Sequence, residues 1–190
     1  DHFAVAGHDR GARCGYRLAL DYPEQISQLA LLDIIPTGEA FRRTDMKFAL
    51  SYWHFFFLAQ PSPLPENLIG ANPDNYYFRN NRELFDPEAL AGYLRCVHDP
   101  ATIHAMCEDY RAAATIDLDH DEADRARKVG CPLLALWAEK GVVEWVYDVL
   151  EVVQAKIAAT DQLAYESDDP LSLEDERLGI RRELDVELQL

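Results

Sequence analysis

The chain has 190 residues, 48% of them apolar and 11% aromatic, which supports a hydrophobic core and excludes a disordered composition. Its 34 acidic residues against 18 basic ones give a net charge of -16, which argues against nucleic acid or an anionic membrane surface as a partner. No apolar run approaches the length needed to span a bilayer.

Cys14, Cys96, Cys107 and Cys131 form no C-x-x-C pair. They read as scattered, reduced and mostly buried thiols of a protein in a reducing, cytoplasmic compartment. The first residue is Asp1 and no signal-peptide pattern follows it, so the chain is expected to begin inside something larger.

In chain order, Phe3-Ala4-Val5-Ala6 predicts a strand, and the segment after Gly11 predicts a helix. Between Arg13 and Asp21, Gly15, Tyr16, Ala19 and Leu20 recur at helical spacing, and Pro23 stops the pattern. Leu29 to Ile34 is a continuous apolar run closed by Pro36, the pattern of a buried parallel strand. Strand, helix and strand in so short a span predict a βαβ unit. From about residue 42 the pattern changes. Phe48 to Leu58 is densely aromatic and predicts one helix, Gln60 to Glu66 is a proline-rich turn, and residues 86–97 and 99–114 predict two helices, each opened by an Asp-Pro pair. This stretch carries no strand signal and reads as a helical insertion. Pro132 to Trp137 predicts a third buried strand, and residues 142–158 an amphipathic helix. The tail from about residue 160 reads as one or two exposed helices with little strand signal, and residues 148–190 hold 12 acidic and 4 basic residues, half of the net charge. No internal repeat is visible.

Gly7-His8-Asp9-Arg10-Gly11 joins the first strand to the first helix. G-x-nucleophile-x-G in that context is a nucleophile elbow, in which small residues let strand and helix approach and the tip faces a helix N-terminus. Gly7 and Gly11 are the expected small neighbours. An aspartate at the tip can displace a leaving group from an sp3 carbon, giving an alkyl ester. Water must then hydrolyse that ester, with the help of a general base, usually a histidine oriented by a second carboxylate. The competing reading is a structural turn in which Asp9 caps the helix. A dinucleotide fingerprint is excluded, because Gly7, Gly11 and Gly15 do not fit G-x-G-x-x-G.

GHDRGARCGYRLALDYP, LLDIIPT, YWHFFFLAQPSPLPENLI, MCEDYRAAATIDLDHD and CPLLALWAEKG together resemble, in order from residue 1 to about 150, the fluoroacetate (haloacetate) dehalogenases. The resemblance implies an α/β fold: a parallel sheet of α/β-hydrolase type, partial in this chain, with an inserted helical cap. It divides the chain into an elbow strand, helix and acid-bearing strand (1–41), a helical cap (42–128), a last core strand and helix (129–160) and a diverged acidic tail (161–190). It implies Asp9 as nucleophile, Arg10 and Arg13 as a clamp for the substrate carboxylate, and Asp33 as the acid that orients the catalytic histidine. His54 and Tyr110 would donate hydrogen bonds to the departing halide. No metal or cofactor is implied; the partner is a small haloacid, and a homodimer stays open. The residues alone leave rivals: Arg10 and Arg13 as surface charges, Asp33 as a strand-end cap, His54 and Tyr110 as core.

Three departures from the family pattern stand out. Phe55 occupies the place of a tryptophan, so an indole N–H donor is gone, which by analogy with an oxyanion donor costs about 3 kcal/mol in the transition state and favours chloride or bromide over fluoride. The family begins well before its elbow, and this chain begins at the elbow strand, which predicts an unpaired sheet edge. The family's catalytic histidine is expected near residues 160–170, and no histidine follows His120. The reading is therefore a dehalogenase with impaired turnover. The alternatives are another α/β-hydrolase with an aspartate nucleophile, such as an epoxide hydrolase or haloalkane dehalogenase, and a non-catalytic remnant that binds small carboxylates. Asp117, Asp119 and Asp121 resemble the start of an EF-hand, but Glu122 and Lys128 stand where Gly and Glu are needed. His98, His104 and Cys107 lack a fourth metal ligand at sensible spacing.

Overall fold

The structure is a computed structural model that describes residues 1–79, 81–138, 143 and 163–164. The chain divides into two units: Asp1–Arg43 together with the chain from Asp124 onward, and Thr44–Ala123.

The first unit is organised by a parallel sheet of β1 (Phe3–His8), β2 (Ile26–Leu32), β3 (Leu133–Leu136) and β4 (Leu163–Ala164), side by side in that order. Val5 pairs with Leu29, Leu29 with Leu133, and Leu133 with Leu163. Helix α1 (Arg10–Asp21) makes the crossover from β1 to β2. Its buried face is Ala12, Arg13, Gly15, Tyr16, Ala19 and Leu20, an i, i+3, i+4, i+7 stripe that covers the sheet. Burying a Tyr or Leu there contributes roughly 1.5–3 kcal/mol each. β2 starts three residues before the expected run and stops at Leu32, because Asp33 turns out of the strand with φ 54°. α2 (Thr37–Arg42) follows, a helix not expected from the local pattern. The tail from about residue 160 carries little strand signal, yet Leu163–Ala164 pairs in parallel with β3, so β3 is not the last strand. The predicted helix over 142–158 and the rest of the acidic tail lie outside the described residues, apart from Val143. Among the described residues β1 pairs on one side only, as expected of a sheet that opens on the elbow strand.

The sharp βα turn depends on one glycine. A Cβ on Gly7 would stand 2.6 Å from the backbone of Gly11 and Ala12, so β1 and α1 approach here without room for a side chain. The second close approach is at Gly15, where a Cβ would stand 3.2 Å from Val5 Cγ1. Gly11, the expected partner of Gly7, lies inside α1, and a Cβ there would meet nothing within 4 Å among the described residues. The small-residue requirement therefore sits at positions 7 and 15, not 7 and 11.

The second unit contains no strand among its described residues. The aromatic run forms two helices, α3 (Met46–Ser51) and α4 (Trp53–Leu58), broken at Tyr52 with φ -110° and ψ 35°. Rings from both then converge: Phe48 lies 5.7 Å from Phe55, and Phe55 lies 5.3 Å from Tyr110, centroid to centroid. The proline-rich turn is shorter than predicted, because α5 (Leu64–Ala71) starts within it and tolerates Pro65 in its first turn. α6 (Pro73–Phe78) and a 3-10 turn (Arg82–Leu84) lead to α7 (Pro87–Val97) and α8 (Pro100–Ala113). Asp86 accepts from the N–H groups of Glu88 and Ala89, and Asp99 from that of Ala101, so both Asp-Pro pairs open helices as predicted. The DLDHDEAD segment is helical, in α9 (Ile116–Ala123), not an ion-binding loop. Cys14 and Cys96 are exposed, against the expectation of mostly buried thiols, since each lies on the outer face of its helix; Cys107 is buried. No described helix is long and apolar enough to cross a membrane.

α5 and α8 are joined by an ion pair with little exposure. Arg111 Nη1 and Nη2 donate to the two carboxylate oxygens of Glu66 at 2.8 and 3.0 Å, and Arg111 Nε donates to the carbonyl of Gln60. The guanidinium holds the Glu66 carboxyl down at about 2, with a further hydrogen bond from His104 at 3.0 Å.

Two predictions follow from this packing. Gly7→Ala should destabilise the chain by about 1–3 kcal/mol in urea unfolding, while Gly11→Ala should stay within about 0.5 kcal/mol of wild type. Because the folded Glu66 carboxyl ionises at a lower pH than the unfolded one, its contribution is present above the ordinary carboxylate range and is lost as pH falls toward about 2. The stability margin of wild type over Glu66→Gln should therefore shrink between about pH 5 and pH 2 in thermal melts. A constant margin would contradict this account.

Candidate active site

Loops at the carboxyl ends of parallel strands collect on one edge of a sheet, where α/β folds place their sites. His8 pairs with Leu32 at the ends of β1 and β2, so Asp9 and Asp33 leave adjacent strands at neighbouring positions. Both have positive φ, 49° at Asp9 and 54° at Asp33. Residues with a side chain avoid this region, and its use marks a turn held by its surroundings. The Asp33 N–H donates to the carbonyl of Leu136 at 2.7 Å, and its Oδ1 accepts from the N–H of Ala138 at 3.4 Å. The acid is thus tied to the end of β3 through its backbone and its side chain.

Asp9 stands at the N-cap position of α1, but its side chain makes no capping hydrogen bond. Its carbonyl does that work, accepting from the N–H groups of Ala12 and Arg13 at 3.1 Å each. The expectation that Asp9 is a helix cap therefore fails at the level of the carboxylate. The first turn of α1 carries no acidic residue, so the positive end of the helix dipole is not neutralised from within.

Arg10 is half-buried at the first position of α1. Arg13 is buried, with 8% of its surface exposed, and its Nη1 donates to Thr37 Oγ1 at 3.2 Å. Arg13 is therefore no surface charge. Thr37 opens α2, just after Asp33 and Pro36 in the chain, and is itself 3% exposed. Sequence reasoning did not single it out; its only signal was the Pro36-Thr37 pair behind the strand.

In the second unit, His54 on α4 and Tyr110 on α8 are in edge-to-face contact, with ring centroids 5.8 Å apart. Phe55 is 1% exposed and packs on Tyr110, Phe48 and Tyr52. The predicted site residues thus form two groups, Asp9, Arg10, Arg13 and Asp33 in the first unit, and His54 and Tyr110 in the second. His98, His104 and Cys107 do not form a set: His98 bonds Asp74, His104 bonds Glu66, and Cys107 is buried. Glu66, His104 and Glu108 do cluster, but Arg111 forms ion pairs with both carboxylates, which supplies the positive charge a cation would bring.

No protein-family model matches the chain. A fluoroacetate dehalogenase from Burkholderia is 42% identical over 165 residues, which cover 83% of this chain and 54% of that protein. A Nostoc protein described as an α/β hydrolase is 51% identical, with a TM-score of 0.81 over 87% of this chain and 58% of its own. A Pseudomonas aeruginosa protein described as an epoxide hydrolase is 40% identical, with a TM-score of 0.78 over 88% of this chain and 58% of its own. The chain spans just over half the length of these relatives. Its fold is of the α/β-hydrolase type, and its sequence is similar to that of fluoroacetate dehalogenase.

Proposed function

We propose that the protein hydrolytically dehalogenates short 2-haloacids of the haloacetate class, with Asp9 as the nucleophile. The observation that carries this reading is the Asp9 backbone, held at φ 49° at the tip of the β1–α1 turn with a carboxylate that does not cap the helix. The identity to fluoroacetate dehalogenase supports the substrate class.

A carboxylate oxygen of Asp9 attacks the halogen-bearing carbon in line. The carbon–halogen bond breaks, its electron pair leaves with the halide, and an ester forms on Asp9. Arg10 and Arg13 hold the substrate carboxylate, a task that suits planar bidentate donors. The unit Thr44–Ala123 serves as the cap and supplies His54 and Tyr110, whose N–H and O–H groups stabilise the charge that develops on the halide. Phe55 offers no such donor, so chloride and bromide leave more readily than fluoride. Water then attacks the ester carbonyl while a general base takes its proton, releasing the hydroxy acid and restoring Asp9. Asp33 orients that base. No histidine follows His120 in this sequence, so the chain completes the first half-reaction and stalls at the ester. The ligand is a small soluble acid, and neither a metal nor a cofactor enters the reaction.

A second reading is an epoxide hydrolase, favoured by the 40% identity to the Pseudomonas protein. The same aspartate would open a neutral ring and would not need the arginine pair. Substrate charge separates the two readings.

Incubation with fluoroacetate should leave one carboxymethyl ester on Asp9, read by intact-protein mass and peptide mapping, and Asp9→Asn should take none. Sustained fluoride release that depends on Asp9 would show that a base is present after all. Labelling of Asp9 by a neutral epoxide and not by fluoroacetate would favour the second reading. No adduct and no fluoride would point to a non-catalytic carboxylate binder.

A further inference from the structure

We propose that Thr37 is a positioning residue that sets the selectivity of this site for anionic over neutral substrates, acting through Arg13. The inference rests on the reading of Arg13 as a carboxylate clamp.

The geometry is specific. The Arg13 side chain leaves the first turn of α1 and reaches the start of α2, where Nη1 donates to Thr37 Oγ1 at 3.2 Å. Both residues are buried, at 8% and 3% exposure, so water does not compete for this bond. A buried hydrogen bond from a charged donor is stronger than a neutral one and costly to leave unmade. The acceptor is fixed at both ends. Pro36 sets the backbone before it with φ -52°, and the N–H of Ala40 donates to the carbonyl of Pro36, which starts the helix. Threonine is branched at Cβ, which restricts its χ1. A guanidinium is planar and rigid, so restraining one Nη narrows the orientations open to the whole fork. Thr37 therefore restrains the direction in which Arg13 presents its donors. It contributes no charge, so its loss leaves the clamp's electrostatics in place and removes only its aim.

A group that aims a bidentate donor matters for a carboxylate and not for a neutral isostere of the same size. Fluoroacetate and fluoroacetamide form such a pair, and both are followed directly by 19F NMR. The titration is run on the full chain carrying Asp9→Asn, which prevents the first chemical step. With Thr37 in place, fluoroacetate should bind more tightly than fluoroacetamide. Adding Thr37→Val, which keeps the side-chain volume and removes the hydroxyl, should weaken fluoroacetate binding about tenfold and leave fluoroacetamide binding unchanged. Thr37→Ser should restore most of the difference. If Thr37→Val does not fold, judged by its thermal melt, Thr37→Ala takes its place with the same expectation.

The outcomes separate the two ideas. If the preference for the anion exists and survives the loss of the hydroxyl, Thr37 does not position Arg13, and the clamp itself stands. If the Thr37 chain shows no preference for the anion, or binds neither compound, the clamp reading fails and this inference falls with it. If Thr37→Val weakens both compounds alike, the hydroxyl supports the pocket in general and the selectivity role is overturned.

Discussion

The rest of the site hangs on the close approach of β1 and α1 at Gly7. With 2.6 Å between a would-be Cβ and the backbone of Gly11 and Ala12, the chain must reverse within one residue. That residue is Asp9, and its positive φ is the consequence. Such a conformation costs of order 1–3 kcal/mol and persists only when its surroundings over-determine it. Here they do so on two sides. Gly15 lets α1 settle against Val5 and Leu29, and the buried stripe from Ala12 to Leu20 holds the helix on the sheet. The helix then starts at Arg10, which puts both arginines in its first turn and turns Arg13 inward, toward Thr37.

The acidity of the chain is not carried into the site. The net charge is -16, and half of it lies from residue 148 onward. Around the β1–α1 turn two arginines and a helix N-terminus with no acidic residue in its first turn offset the carboxylates of Asp9 and Asp33. This local arrangement suits a small anion even in an acidic protein, because interactions between exposed charges fade beyond roughly 10 Å in ordinary salt. In the second unit the cationic side chain Arg111 is already matched by Glu66 and Glu108.

Local pattern made much of this architecture readable. The apolar runs marked β1, β2 and β3, the 3.6-residue stripe marked α1, and the Asp-Pro pairs marked the starts of α7 and α8, since each depends on neighbours in sequence. What escaped depends on contacts across the chain. Two glycines flank Asp9, and only the packing tells that Gly7 and Gly15, not Gly11, face a crowded wall. The break at Tyr52 is invisible in a run of aromatics, because it satisfies ring contacts with Phe48 and Phe55 and no helix-breaking residue marks it. β4 is two residues recruited by β3, too short to announce itself. The candidate site was legible through the G-x-D-x-G turn and the family resemblance. Thr37 was not, because its meaning lies in a partner 24 residues away.

The two stretches of chain that flank the second unit are each held within the first unit. Arg43, the last residue before it, pairs with Glu39 at 3.2 Å, and Asp124, the first residue after it, pairs with Arg17 on α1, with Arg127 close behind bonded to the carbonyl of Leu20. The chain therefore enters and leaves the stretch from Thr44 to Ala123 at points that the first unit fixes with ion pairs of its own, so an exchange of that stretch would meet flanks already held in place.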